Sequence, residues 1–253
     1  MLKNTVKGLE AYAGSFNLIS KLGLWKYFGV PIIISIVTAA LIIIAAYGLS
    51  DNLGAYIAKI WPWEWGKETF TSIGNFISGI IILAIGLILY KHIIMALSAP
   101  FMSPVSEKIE NHLTGGGLHS HRKSTFQSQL WRGIRINIRN LGMELLLTIP
   151  ILILKVIPIV NIFSTALLFL VQAYYAGFGN MDYTLERHYN YSKSLSFVRQ
   201  RRGLAIGNGI GFMLLLLIPV VGIILVLPLS VTAASIRTVE ALEETNTSDV
   251  VKL

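Results

Sequence analysis

The apolar positions divide the chain into two long uninterrupted runs followed by two interrupted ones. From Phe28 to Leu49 no residue is charged. At about 1.5 Å per residue such a helix measures roughly 33 Å, enough to cross a hydrocarbon core of about 30 Å. Pro31 falls in its first turn, where a missing N–H costs little, and Lys26 and Asp51 mark its two ends. A second run from Phe70 to Tyr90, ending at Lys91 and His92, brings the chain back. Between them, Trp61-Pro62-Trp63-Glu64-Trp65 has the make-up of a headgroup-layer belt, because an indole is apolar in its body and carries one N–H that wants a partner. Ahead of the first run, Val6, Leu9, Tyr12, Phe16 and Ile19 recur at three or four positions. That spacing predicts an amphipathic helix over residues 1–22 lying in the membrane interface.

The remaining apolar sequence is broken twice by proline, and the breaks repeat. Gly142 precedes Pro158 by 16 positions and Gly203 precedes Pro219 by 16, an offset of 61 between copies. Ile157-Pro158-Ile159-Val160-Asn161-Ile162 answers to Ile218-Pro219-Val220-Val221-Gly222-Ile223, and basic residues precede each copy. The pattern predicts a duplicated helical hairpin over 141–179 and 203–236. An arm of 16 residues is about 24 Å long and falls short of the hydrocarbon core by roughly 6 Å, so the tips are expected to stop inside the membrane. Backbone at such a tip has to be packed in protein or face a wet cavity.

Composition supports this picture and narrows it. Charged residues make up 13% of the chain against 54% hydrophobic, with a mean hydropathy of +0.65; a soluble domain carries about 25% charged residues. The net charge of +8 does not indicate nucleic acid, since the basic residues flank apolar runs rather than coat a soluble core. Fifteen lysines and arginines fall in 1–27, 103–140 and 180–202, against Lys59 and Lys67 in 50–69. The positive-inside rule therefore puts both termini, and the mouths of both hairpins, in the cytoplasm. The fold class expected is an all-α integral membrane protein. It has two long transmembrane helices, two proline-broken, partly penetrating hairpins and an interfacial N-terminal helix in one domain, 1–236, with a frayed acidic tail over 237–253. There is no cysteine, which excludes disulfides and thiolate metal sites. His119 and His121 follow a glycine run and supply two ligands where zinc wants three or four, so no metal and no cofactor is expected. No nucleophile and base, phosphate loop or paired carboxylates suggest an enzyme.

Several stretches in order resemble one family: Gly23-Leu24-Trp25-Lys26-Tyr27, Ala99-Pro100-Phe101 with Glu107-Lys108-Ile109-Glu110, the tip Ile157-Pro158-Ile159-Val160-Asn161, Met181-Asp182-Tyr183, and Ser196-Phe197-Val198-Arg199 leading to Arg201-Arg202-Gly203-Leu204-Ala205. Together, over about residues 8–236, they resemble the CysZ-type sulfate permeases, which belong with the etoposide-induced-protein-like membrane proteins. The resemblance implies two long transmembrane helices with two pairs of partly penetrating helices, a homo-oligomer in the bacterial cytoplasmic (inner) membrane, and uptake of sulfate for cysteine synthesis. It also implies a sulfate site at a Gly-Leu-Arg motif, which maps to Gly23 and Leu24 with Trp25 in the arginine position and Lys26 next to it.

The candidate site residues carry two readings each. Lys26 is a sulfate ligand or a topological anchor; Arg199, Arg201 and Arg202 meet a permeating anion or a lipid phosphate. Glu107 and Glu110, three apart on a short helix after a proline, pair with Arg135 or Arg139 at an entrance or form a solvated face. Glu144, inside the first hairpin arm, reaches Arg139 or water, because an ionised carboxylate deep in lipid costs about 2.5–3.5 kcal/mol. Lys155 near the tip is a pore charge or snorkels to the interface. The leading expectation is a permease for sulfate or a similar oxyanion, without nucleic-acid partners. The alternative is a non-transporting scaffold of the same fold that binds acidic lipid or a protein partner.

Overall fold

The computed structural model describes residues 1–61, 63–116, 125–155, 157–218 and 220–250. Among these the chain is helical without strands: α1 (Leu2–Lys21), α2 (Gly29–Ala58), α3 (Lys67–Thr114), α4 (Phe126–Leu154), α5 (Pro158–His188), α6 (Tyr191–Gln200), α7 (Arg202–Leu216) and α8 (Val221–Val250). Five of them, α2, α3, α4, α5 and α8, are long and apolar enough to cross a membrane. Together they make this a multi-pass, all-α membrane protein.

Both long spans extend past the boundaries the apolar runs suggest. α2 continues through Asp51 to Ala58, and α3 runs for 48 residues. At about 1.5 Å per residue α3 is roughly 72 Å long, more than twice the hydrocarbon thickness, so it projects well beyond the lipid. Lys91 and His92 therefore do not end it, and Glu107 and Glu110 lie on the same helix rather than on a separate short one. α3 passes through Pro100 and Pro104 unbroken. Pro100 leaves the Ala96 carbonyl without its helical donor, and there α4 comes close: a Cβ on Gly133 would lie 2.9 Å from the Ala96 oxygen.

The offset of 61 recurs in the element boundaries. With the offset of 61, α4 answers to α6 plus α7, and α5 to α8, each pair ending within two residues of register. The second copy is broken at Arg201, where φ −110° and ψ 31° depart from the helix. Pro158 opens α5 as its first residue, where its fixed φ suits a helix start; Pro219 lies outside the described residues. Helix lengths differ from the predicted arms: α4 and α5 have 29 and 31 residues, and in the second copy the 10-residue α6 and the 15-residue α7 are each shorter than a membrane span. The tail is also different, since α8 continues to Val250 and buries Val239, Ala241 and Leu242.

α7 lies at the centre, between α1, α5 and α8. Gly203, Gly207 and Gly209 remove side chains where backbones meet, and Gly211 makes room for the Tyr12 ring. A Cβ on Gly203 would stand 2.8 Å from the Met1 carbonyl, and one on Gly207 would overlap the Thr5 carbonyl. On the opposite side Gly209 abuts the Ala173 carbonyl, and Gly177 of α5 abuts that of Ala205. α1 meets this surface through Gly8, Ala11, Ser15 and Ile19, while Val6, Leu9 and Phe16 face outward. The apolar stripe read from the sequence is thus split, Tyr12 and Ile19 turning inward and Val6, Leu9 and Phe16 outward. Ile33, Val37, Leu41 and Ile44 of α2 and Phe76, Ile80 and Leu87 of α3 are exposed in the same way.

Gly209→Ala is expected to destabilise the protein by about 2–3 kcal/mol through overpacking against backbone. Gly142→Ala, which meets nothing within 4 Å, should be neutral or stabilise by up to about 1 kcal/mol through helix propensity. Thermal unfolding of the detergent-solubilised protein checks both, and equal Tm values for the two variants would contradict the packing described.

Candidate functional site

Charged side chains are buried in three linked places along α3, α4 and α5. At the first, Lys91 and Glu144 are each 1% exposed and form a 2.7 Å ion pair between Nζ and Oε1. Glu144 Oε2 lies 3.0 Å from Nε2 of His92. Lys91 also donates to the Gln172 carbonyl of α5 at 3.4 Å. His92 Nδ1 faces Asn137 Oδ1 at 3.5 Å, and Asn137 donates from Nδ2 to the Gly133 carbonyl at 2.9 Å. Both imidazole nitrogens thus face acceptor oxygens. With lysine and glutamate charged, the cluster is neutral when the imidazole is neutral and carries one positive charge when it is protonated. A cleft of about 190 Å³ between α3 and α4, lined by Leu89, Ile93, Leu97 and Leu141, opens onto His92 and Asn137.

The second place is further along the same helices. Arg187 donates from Nη2 to Glu110 Oε2 at 2.9 Å and from Nη1 to Ser106 Oγ at 2.7 Å, while His188 Nε2 is 2.8 Å from Glu110 Oε1. Ser103 donates to Glu186 and accepts from Gln129 Nε2 at 3.1 Å. The third is a fork: Arg132 holds both oxygens of Asp182 at 2.9 and 2.8 Å and donates to Ser194 Oγ at 2.7 Å and the Tyr189 carbonyl at 2.8 Å. These contacts tie α3, α4, α5 and α6 together with charge-assisted bonds, about twice as strong as neutral ones. Near α7 a neutral cluster completes the polar interior. The Tyr12 hydroxyl is 2.6 Å from the Asn208 carbonyl and 2.8 Å from Ser230 Oγ, and Asn180 donates to Asn208 Oδ1 at 2.9 Å. Burial raises the Tyr12 hydroxyl above its ordinary value, so it stays protonated.

The entry motif is built differently. Gly23 adopts the left-handed conformation (φ 61°, ψ 35°), which lets α1 turn into a short 3₁₀ segment, Leu24–Tyr27. Leu24 is buried in the core and anchors it. Trp25 packs edge-on against Phe16 and Phe28, and its indole N–H donates to Ser20 Oγ at 3.1 Å. Lys26 is exposed and stands 5.5 Å from the centre of the Tyr27 ring. Lys108 of α3 stands 5.4 Å from the same ring. Of the four predicted ligands, Lys26 alone presents a charge, and the structure adds Lys108 beside it.

The other predicted residues separate. Glu144 pairs with Lys91 and His92, not with Arg139. Glu110 pairs with Arg187 and His188 instead of Arg135 or Arg139, because it lies on the continuous α3 facing the end of α5. Glu107 is exposed, Arg135 stacks 4.1 Å over the Tyr191 ring, and Arg139 lies 5.5 Å from that of Phe178. Lys155 caps α4 at the tip of the first hairpin. Arg199 and Arg202 are exposed, whereas Arg201 donates to Thr245 Oγ1 at 2.6 Å and to the Ala241 carbonyl at 3.2 Å. His119 and His121 lie outside the described residues. No group of three or more metal-ligating side chains stands together among the described residues. Sequence reasoning missed Lys91 and His92, which read as the end of a span. The available signal was Glu144, a carboxylate that needs a cation wherever its helix is buried.

Residues 11–226 match the model of a family described as Sulfate transporter CysZ/Etoposide-induced protein 2.4. The chain belongs to this family. It is also 30% identical over 142 residues to a protein from Pseudomonas fluorescens named Sulfate transporter CysZ. That stretch is 55% of this chain and 57% of the relative, so the match spans little more than half the relative's length. In this CysZ/Etoposide-induced protein 2.4 family member, the match includes the entry motif, α3 with Lys91 and the whole first hairpin with Glu144.

Removing one partner of a buried pair leaves the other charge uncompensated, at about 3–5 kcal/mol, whereas replacing both by apolar residues is often neutral. Lys91→Met is therefore expected to lower Tm sharply, and Lys91→Met with Glu144→Leu to restore most of the loss. A double variant no more stable than the single one would show that the pair is not coupled.

Proposed function

We propose that this chain is a membrane permease for sulfate or a closely similar oxyanion, supplying sulfur assimilation. The observation that carries the reading is the family match across residues 11–226. The name of the Pseudomonas fluorescens relative, a sulfate transporter, supports sulfate as the cargo. An anion crossing apolar helices needs fixed positive charge, because desolvation otherwise costs several kcal/mol. Two features supply it: Lys26 and Lys108 at the entry motif, and Lys91 with His92 inside the bundle. In this reading sulfate is collected at Gly23–Lys26, where Lys26 and Lys108 attract it as point charges in place of the planar fork an arginine provides. It then passes the cluster of Lys91, Glu144 and His92, whose net charge is zero or positive. Glu110, Arg187 and the Arg132–Asp182 fork brace the helices around that route.

The same reading places the protein in the bacterial cytoplasmic membrane as a homo-oligomer, in contact with lipid, with both termini in the cytoplasm. Both hairpin tips then end within the lipid. The arginine-rich helix ends and the uncharged second tip support that arrangement. A non-transporting scaffold is favoured by one observation, the commitment of Trp25 to Ser20 and to two phenyl rings at the arginine position of the motif. Growth of a sulfate-uptake-deficient bacterium on limiting sulfate separates the two: rescue by this chain supports the permease.

Radiolabelled sulfate should enter liposomes carrying the purified protein faster than empty vesicles, and absence of flux under several gradients would remove the transport reading. Lys26→Ala with Lys108→Ala is expected to raise the half-saturating sulfate concentration about fivefold, roughly 1 kcal/mol for exposed charges. An unchanged saturation curve would show that the entry motif is not the site.

The absence of cysteine makes each introduced thiol unique. With Val160→Cys and Val221→Cys, a membrane-impermeant maleimide applied from outside should label neither position, while Glu64→Cys in the outer loop reacts. Labelling at the tips would mean that the hairpins cross completely.

A further inference from the structure

Glu144 occupies the position that an incoming anion would take. Its two oxygens are bound by adjacent side chains of α3, Oε1 by Lys91 Nζ at 2.7 Å and Oε2 by His92 Nε2 at 3.0 Å. Two donors on two oxygens is how a buried oxyanion is held, here with the protein's own carboxylate as the anion. Each donor also has a second partner that steers it. Lys91 donates to the Gln172 carbonyl of α5 at 3.4 Å, and His92 Nδ1 lies 3.5 Å from Asn137 Oδ1 of α4. Asn137 is fixed in turn by donating to the Gly133 carbonyl at 2.9 Å. The direction of both donors therefore does not depend on Glu144 alone.

Packing does not require a charge at this place. A buried ion pair contributes little net stability against apolar residues of the same volume, and the second hairpin copy builds the corresponding position from Ala205. Lys91 and Glu144 are each 1% exposed, so neither serves as a surface anchor. The cluster is not sealed, because the cleft of about 190 Å³ between α3 and α4 reaches His92 and Asn137. With the carboxylate in place and the imidazole neutral, the site has no net charge to offer, and a second anion brought beside Glu144 is repelled strongly at low dielectric. With the carboxylate moved aside, the same donors present the full charge of Lys91 and an imidazole N–H. Occupancy by an external anion and by Glu144 thus exclude each other.

We propose that Lys91 and His92 form an inner binding site for a tetrahedral oxyanion, which Glu144 fills in the resting protein and which sulfate takes in exchange for the carboxylate. The choice of sulfate rests on the permease reading above; the exchange with Glu144 goes beyond it. Two sulfate oxygens replace the two carboxylate oxygens on the same pair of donors.

The test uses the full chain in a neutral detergent, in a Lys26→Ala/Lys108→Ala background that silences the entry motif. Calorimetric titration with sodium sulfate gives the affinity, and sodium gluconate at equal ionic strength corrects for salt. Glu144→Gln keeps the size of the side chain and an oxygen for Lys91 but removes the competing charge. It is expected to bind sulfate at least about tenfold more tightly than the background, with a Tm rise of about 5 °C at saturating sulfate. Lys91→Met/Glu144→Leu, which has lost the donor as well, should show neither effect. If the glutamine variant folds poorly, preparing it in sulfate should recover it where gluconate does not. Equal affinity with and without the charge of Glu144, a response that survives in Lys91→Met/Glu144→Leu, or equal recovery in the two salts would overturn the proposal. Flux into liposomes by the unaltered chain judges the permease reading separately: binding without flux keeps the site and removes transport, whereas flux with no gain in Glu144→Gln keeps transport and removes the site.

Discussion

Backbone contact around α7 is the constraint on which the arrangement depends. In lipid there is no hydrophobic force between helices, so they associate where small residues let backbones approach and dispersion and polar bonds add up. Gly203 and Gly207 bring α7 against the first turns of α1, and Gly209 brings it against Ala173 of α5. The approach positions the carboxamides of Asn180 and Asn208 for their hydrogen bond and sets Tyr12 against Asn208 and Ser230. α1 is held by this surface together with Tyr12 and the buried Ile19, which leaves Val6, Leu9 and Phe16 for the lipid.

Around that small-residue centre, the charged bonds define which faces of α3, α4 and α5 can meet. Lys91, Glu144 and His92 fix one level, and Glu110 with Arg187 and Arg132 with Asp182 fix another. Apolar residues of similar size would hold the helices equally well, since a buried ion pair contributes little net stability. Lysine and carboxylate inside an apolar bundle are expensive enough that function is the first reading of their presence. That argument gives the Lys91 cluster its place in the proposed route.

Much of this was legible in the sequence and the rest was not, for identifiable reasons. Charge-free runs located α2 and the first part of α3, because hydropathy acts locally, and the offset of 61 read from Gly142, Pro158, Gly203 and Pro219 recurs between the ends of α4 and α7 and of α5 and α8. The proline before Glu107 was misleading: it suggested a separate short helix, but α3 runs through Pro100 and Pro104, with Gly133 of α4 lying close to the freed Ala96 carbonyl. Lys91 looked like a membrane exit because its partner, Glu144, is 53 residues away and nothing local announces the pair. The arginines Arg199, Arg201 and Arg202 were half visible. Their charges could be counted, but the turn at Arg201 that fastens its guanidinium to α8 is a property of the fold.

The two copies of the hairpin have come to do different work, and the alignment at an offset of 61 shows where. Glu144 of the first copy corresponds to Ala205 of the second, whose carbonyl is pressed against Gly177. A carboxylate at 205 would have to occupy the contact that seats α7 on α5, while an alanine at 144 would leave Lys91 buried without a partner. Gly142 has open space around it, whereas its counterpart Gly203 is packed on Met1 and Asn4. The first copy therefore holds a buried charge, and the second packs backbone against backbone. The same division goes with the broken arm: Asn140 continues α4, but its counterpart Arg201 follows the end of α6, and at that bend Arg201 is fastened to α8 while Arg199 and Arg202 stay exposed.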